Sequence, residues 1–244
     1  MKHPLRTLLL AVCCGLAAAC TQRQERLKLM SYNIRNGIGI DNIQDIGRIA
    51  RVILREAPDL VALQELDSAT LRVDGRYIPG ELGRMTGMHA TFGRAIGFAG
   101  GSYGIGLLSR TEPLAVRSIP LPGREEARVL LMAEFPDYTV CITHLSLTPE
   151  DRLASLPIIR EATDTCRKPV LLAGDFNTGN AAAVLAGLGG GFRILSDTTR
   201  MTFPSDNPAV RIDYILGRGL PTSATVAESA VDHTATASDH CPLW

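Results

Sequence analysis

The sequence predicts an α/β fold, two mixed, mainly antiparallel β-sheets packed face to face with helices outside. Three observations predict it. Strand-like apolar runs outnumber helices, two outer helices each fall between buried strands, and several strands are joined by very short connections. Strands this apolar suit sheets that are covered on both faces.

In chain order, Leu27–Ile34 reads as a buried strand. Ile43, Ile46, Ile49, Ala50, Ile53 and Leu54 then recur at three-and-four spacing, which predicts a helix with Asp41 or Asn42 placed to cap it. Pro58 ends that helix, and Leu60–Leu63 is a short apolar strand. Strands follow at Ala90–Phe92, Gly104–Leu108, Leu114–Ile119, Val129–Phe135 and Thr139–Leu145. Tight links such as Pro136-Asp137 predict antiparallel neighbours. Thr148-Pro149 opens a second helix, with proline at its first position, that runs to about Thr165. A buried strand at Pro169–Ala173, a short helix at Ala181–Leu188 and a strand at Arg211–Leu216 come next. The chain closes with strands near Val226–Glu228 and Cys241–Trp244.

The first nineteen residues stand apart from this fold. Lys2, His3 and Arg6 form a basic start, and the apolar run that follows from Leu8 to Ala19 is shorter than the ~20 residues of a membrane-spanning helix. That is the layout of a secretory signal. Leu16-Ala17-Ala18-Ala19-Cys20 resembles a bacterial lipobox, although alanine stands three positions before the cysteine where leucine is favoured. On this reading Cys20 is the lipid-modified first residue, residues 20–26 are a short tether and residues 27–244 are the domain. The chain is then anchored in the cell envelope, facing away from the cytoplasm; in a Gram-negative cell, Thr21 points to the outer membrane. The alternative is ordinary cleavage after Ala19, which leaves Cys20 free.

From Cys20 onward the chain carries 23 basic and 25 acidic residues and no run of lysines or arginines. Long nucleic acid as substrate is therefore not favoured, since such binding rests on a basic patch. Cys141, Cys166 and Cys241 are too few and too widely spaced for a zinc framework or a disulfide scaffold. Cys141 and Cys241 read as buried small hydrophobes.

Chemistry gathers at strand ends. Asn33, Gln64-Glu65, His144, Gly174-Asp175-Phe176-Asn177, Asp213 and Ser238-Asp239-His240 each close, interrupt or precede an apolar strand. A single carboxylate at such a place is commonly a turn former or helix cap. Six of these sites in one chain point to one cleft, because strands of a common core end on a common rim. The set suits phosphoester hydrolysis with a hard cation. Glu65 and Asp239 offer carboxylates, and Asn33 a neutral oxygen. His144, His240 and Asn177 can donate to phosphoryl oxygens, while Asp175 can accept from water. Asp213 is placed to fix the tautomer of His240 and raise its pKa.

SYNIR at Asn33, LQEL at Glu65, SYGIGLLSR at Ser102–Arg110, ITHL at His144, GDFN at Gly174–Asn177, RIDYIL at Asp213 and SDHCP at Ser238–Pro242 form an ordered set. From Leu27 to Trp244 it resembles the endonuclease/exonuclease/phosphatase superfamily, the deoxyribonuclease I-like metal-dependent hydrolases. The resemblance implies a four-layered α/β sandwich with its site between the edges of two sheets. It implies Glu65 as the principal ligand of Mg²⁺ (Mn²⁺ and Ca²⁺ suit oxygen ligands too), with Asn33 and Asp239 supporting directly or through water. Asp213 would pair with His240 at the scissile phosphate, Asp175 would align or deprotonate water, Asn177 would hold it, and His144 would sit at the phosphate. Tyr103 and Arg128 match less sharply and are candidate substrate-side or structural residues.

The expected protein is a monomeric hydrolase of a small-molecule or lipid-derived phosphoester, whether mono- or diester. An extracellular nuclease is the alternative of the same fold, and a non-catalytic envelope binding module the alternative of another class. The closeness of SDHCP to Trp244 predicts a short last strand, and the length leaves little room for substrate-gripping insertions.

Overall fold

The computed structural model describes residues 26–244. The signal segment, Cys20 and the tether up to residue 25 lie outside the described residues. The elements are β1 (Leu29–Asn33), α1 (Ile46–Glu56), β2 (Leu60–Ser68), α2 (Ile78–Thr86), β3 (His89–Phe98), β4 (Gly101–Ser109), β5 (Ala115–Leu121), β6 (Arg128–Glu134), β7 (Thr139–His144), α3 (Pro149–Asp164), β8 (Val170–Asp175), α4 (Ala181–Leu188), β9 (Arg193–Ile194) and β10 (Asp213–Arg218). One sheet has the order β1-β2-β4-β3 and the other β5-β6-β7-β8-β10-β9. Two pairs are parallel, β1 with β2 and β7 with β8; the remaining pairs are antiparallel.

Period-two alternation assigns each side chain to a layer. Met30, Tyr32, Val61 and Leu63 face outward against Ile46, Ile49 and Ile53 of α1 and Leu82 of α2. Their neighbours Leu29, Leu60 and Ala62 face inward and meet Val129, Leu131, Val140, Ile142, Leu171 and Ala173 of the other sheet. The intervening residues of that sheet, Leu130, Met132, Cys141, Val170 and Leu172, pack under Leu156 and Ile159 of α3 and Val184 of α4. Three apolar seams thus hold four layers together, and each large aliphatic side chain buried in them stabilises by about 1.5–3 kcal/mol.

Several expectations shift. The first helix begins at Ile46, capped by Asp45 accepting from Arg48 N; Ile43 precedes it and Leu54 faces away from its buried side, and both are exposed. Asp41 instead closes a local turn onto Ile43 N and holds the Arg48 guanidinium. The second strand runs past Leu63 to Ser68, so Glu65 does not end a strand. Helix α2 had no counterpart in the sequence pattern: Pro79, Gly80 and Gly83 obscure it, yet Ile78 and Leu82 anchor it. Val226–Glu228 forms no strand. Cys241–Trp244 forms no full strand: Leu243 bridges Ser31 on one side and Val231 on the other, and Trp244 exchanges backbone hydrogen bonds with Ala230. Cys141 and Cys241 are buried free thiols.

Candidate active site

Three strands of the six-stranded sheet place carboxylates and a histidine side by side. His144 ends β7, Asp175 ends β8 and Asp213 opens β10, and the register pairs Asp175 with both of the others. Ile142, Ala173 and Ile215 lie two residues away from them and face the inter-sheet seam. The polar trio therefore emerges on that same inner face, at the rim. Gly174 permits this close alignment: its φ is +154°, and a Cβ there would stand 2.0 Å from the Thr143 carbonyl. Asn177 completes GDFN in a left-handed turn, its backbone N donating to Asp175 Oδ1 at 2.8 Å and its Nδ2 to the Leu145 carbonyl at 2.8 Å.

The four-stranded sheet supplies the opposite wall. Asn33 lies on the inner face of β1, four residues after Leu29. Glu65 reaches the rim through a bulge. The register with β4 slips between Leu63 and Leu66, and Glu65 has φ +56°. The extra residue lets Gln64 and Glu65 sit between two leucines that both face outward. Asn33 Nδ2 donates to Glu65 Oε1 at 3.0 Å and to Asp175 Oδ2 at 3.1 Å, while its oxygen accepts from Arg35 N at 3.1 Å.

The C-terminal segment delivers His240. Ser238 Oγ donates to the Asn33 carbonyl at 2.7 Å, and the Phe203 ring lies 4.8 Å from the His240 ring. His240 Nδ1 is 2.9 Å from Asp213 Oδ2, and its Nε2 is 3.6 Å from Asp175 Oδ2. Asn33 Nδ2 also lies 3.4 Å from that Nε2. The amide has two hydrogens, already directed at Glu65 and Asp175, so this last approach is a contact rather than a third bond.

The electrostatics follow from burial and charge. Burial opposes the His240 cation, but Asp213, then Asp175 and Asp239, push its pKa up to about 10. Burial and the neighbouring Asp213 hold Asp175 well above the usual carboxylate range. Burial, Arg128 and His240 hold His144 well below the ordinary histidine value. Two histidines beside one carboxylate oxygen thus carry different charges at neutral pH.

The candidate catalytic, metal-ligating and substrate-side residues all lie on or beside this rim. Asn33, Glu65, Asp175, Asp213, His240 and His144 form one connected group, and Asn177 braces it. Asp239 is half-buried, 3.5 Å from Arg35 Nε. Tyr103 and Arg128 line a crevice with His144 and Glu126. Sequence reasoning missed Glu125, Glu126, Arg35 and Phe203. The charged stretch Arg124-Glu125-Glu126-Ala127-Arg128 before an apolar strand was the available signal for the first two. A cleft of about 450 Å³ between β5, β6 and the end of α3 contains none of the site residues. Its Arg117 and Lys168 are committed to the Ala162 and Phe135 carbonyls.

The residues fit a hard divalent cation. Glu65 has an oxygen facing no donor among the described residues, and Asp239 is a second accessible carboxylate. One or two carboxylates plus waters suffice for Mg²⁺. Among the described residues, Asp175, Asp213 and His240 are the one group of three whose ligand atoms all lie within 4.8 Å. Within this trio His240 Nδ1 is 2.9 Å from Asp213 Oδ2, so the histidine and Asp213 form a pair beside Asp175.

A family model described as the Endonuclease/Exonuclease/phosphatase family matches residues 30–240. No curated protein sequence matches. Among solved structures, an endonuclease/exonuclease/phosphatase from Beutenbergia cavernae is 23% identical with TM-score 0.68, covering 89% of this chain and 70% of that one. A mannosyl-6-phosphatase from Bacteroides thetaiotaomicron is 17% identical with TM-score 0.66, covering 89% and 98%. TDP2 from D. rerio, complexed with a single-strand DNA product, is 21% identical with TM-score 0.66, covering 89% and 96%. These likenesses share the two-sheet sandwich built above, and the family match across nearly the whole described chain means that the protein belongs to the endonuclease/exonuclease/phosphatase family.

Proposed function

We propose that the protein is an exported, lipid-anchored phosphoester hydrolase that depends on a divalent metal and acts on a small or lipid-derived phosphoester by attack of water on phosphorus. One observation carries the reading. Asp175 Oδ2 is met by His144 Nε2 at 3.5 Å, His240 Nε2 at 3.6 Å and Asn33 Nδ2 at 3.1 Å, so a single basic oxygen sits among groups suited to a phosphoryl anion.

The residues divide the work. Asp175, with its raised proton affinity, takes the proton of the attacking water. Asn177 fixes the other carboxylate oxygen through its backbone N–H and leaves its side-chain oxygen free to orient that water. His240 stays cationic because of Asp213, and faces the charge that develops on the phosphoryl oxygens. Glu65, oriented by Asn33, would hold the cation with Asp239 nearby. Such a cation supplies charge neutralisation at the phosphoryl group when bound.

The relative named as a mannosyl-6-phosphatase makes a sugar phosphate the first substrate to try, and the one solved with DNA makes DNA the second. The test is hydrolysis by residues 21–244 with Mg²⁺, Mn²⁺ or Ca²⁺, and with EDTA. Substrates would be mannose 6-phosphate, p-nitrophenyl and bis-p-nitrophenyl phosphate, sphingomyelin, phosphoinositides and plasmid DNA. Metal-dependent turnover that disappears in Glu65→Ala is the expected result. Unchanged turnover in that variant overturns the site assignment. Silence on every substrate by a folded, metal-binding protein moves the reading to a binding module.

A further inference from the structure

The two histidines beside Asp175 turn their outer nitrogens to opposite charges. His240 Nδ1 meets the Asp213 carboxylate at 2.9 Å, whereas His144 Nδ1 meets Arg128 Nη1 at 3.3 Å. A guanidinium offers donors only and does not lose its charge. The nitrogen facing it must accept, so it carries no hydrogen. A neutral imidazole keeps one hydrogen, which then resides on Nε2, 3.5 Å from Asp175 Oδ2. Turning the ring over would put carbons in both places and lose both approaches.

Arg128 is itself held firmly. It is buried, with Nη1 3.0 Å from Glu126 Oε1 and Nη2 3.4 Å from Glu125 Oε1. Glu125 in turn accepts from Ser146 Oγ, Leu147 N and Thr148 Oγ1, the loop that follows His144. The guanidinium and the histidine are thus fixed by one hydrogen-bonded network. The charged and titratable groups around His144 are Arg128, Glu125, Glu126, Asp175, His240 and Tyr103.

We propose that Arg128 is a positioning residue that locks His144 as a neutral imidazole protonated at Nε2. His144 is then a permanent donor toward the phosphoryl oxygens and never competes with Asp175 for the water proton. The effect on catalysis rests on the hydrolase reading; the tautomer does not.

The experiment is long-range ¹H–¹⁵N NMR of residues 21–244 labelled at their four histidines, with His144 identified by His144→Gln. The wild type is expected to show His144 with a bare Nδ1 and a protonated Nε2, unchanged between about pH 8 and 6, the range in which an ordinary histidine changes charge. In Arg128→Met, His144 is expected to populate the Nδ1–H tautomer, while Arg128→Lys, which restores a donor, keeps the wild-type pattern. A hydrogen on Nδ1 in the wild type overturns the proposal, as does an unchanged His144 spectrum in folded Arg128→Met. Should Arg128→Met fail to fold, the wild-type and Arg128→Lys spectra still decide. On a hydrolysed substrate, Arg128→Met should lower kcat about 10²-fold with little change in KM, the loss expected for one misdirected transition-state donor, and Arg128→Lys should recover most of it. A protein with the Nε2–H tautomer that hydrolyses nothing upholds the positioning role and sinks the hydrolase reading instead.

Discussion

His240 and His144 stand on either side of the same Asp175 oxygen at almost equal distances, 3.6 and 3.5 Å, yet they are chemical opposites. Asp213 stands behind one and Arg128 behind the other. Asp213 favours the cation at His240, and Arg128 disfavours it at His144. The comparison teaches that a ring's role is set by the group at its far nitrogen, since both rings are buried and face the same carboxylate oxygen. It also explains how Asp175 can remain a base beside two potential proton donors: one is tied into an ion pair and the other holds its proton for hydrogen bonding.

Neutralising the partner of the charged histidine is the most severe way to break this asymmetry. Asp213→Asn removes the largest contribution that holds His240 up at about 10, leaving burial opposed only by Asp175 and Asp239, so the ring's pKa falls. A loss in kcat of about 10³-fold is expected. The loss should be deeper at pH 8 than at pH 6, because His240 in the wild type is protonated at both and in the variant regains its proton only on acidification. An equal loss at both pH values would show that Asp213 acts through shape alone.

The neutral side is probed through Glu125. Burial pushes this carboxyl up, but hydrogen bonds from Ser146, Leu147 and Thr148 outweigh it and hold the pKa down to about 2. A depressed acid stabilises the fold fully above its ordinary value of 4.5, and that stabilisation is lost as pH falls toward 2. Glu125→Gln should cost about 1–2 kcal/mol at pH 7 and flatten the acid limb of Tm against pH. Thermal melts from pH 7 to 2.5 would show it, and parallel curves for the two proteins would contradict it.

The smallest expected effect lies on the charged side. Ser238→Ala removes the 2.7 Å hydrogen bond that pins the His240 segment to the Asn33 carbonyl, for about 1 kcal/mol of stability. Urea unfolding would measure it, with kcat falling only a few-fold if His240 is still held by Asp213.

Much of this was legible in the sequence. Apolar runs marked nearly every strand, and Thr148-Pro149 and Ala181–Leu188 gave helix starts that the structure repeats. The polar residues at strand ends were also visible, because period two makes His144, Asp175 and Asp213 continue the inner rows of Ile142, Ala173 and Ile215. What the sequence could not reveal are features without a compositional trace. The bulge at Glu65 adds one residue to a strand without changing its character. Asp45 and Asp41 are equally good caps by type, and only the chain path chooses between them. Helix α2 hides behind its glycines. Arg128 and Glu125 act through partners remote in sequence, so their roles appear only when β7 and its following loop are folded against β6.

Asn33 has one more consequence. Its amide reaches from the four-stranded sheet to Asp175 on the six-stranded sheet, at the rim of a seam packed with apolar side chains. Greasy contact resists pulling apart but has no preferred direction, so it offers little opposition to sideways slip. Asn33 therefore works with the Ser238 and His240 bonds to keep the two sheets in register at the rim, and a slip of about 0.5 Å is enough to spoil a catalytic constellation. On warming, turnover should be the first property to go, while each sheet still keeps its own ladder of hydrogen bonds.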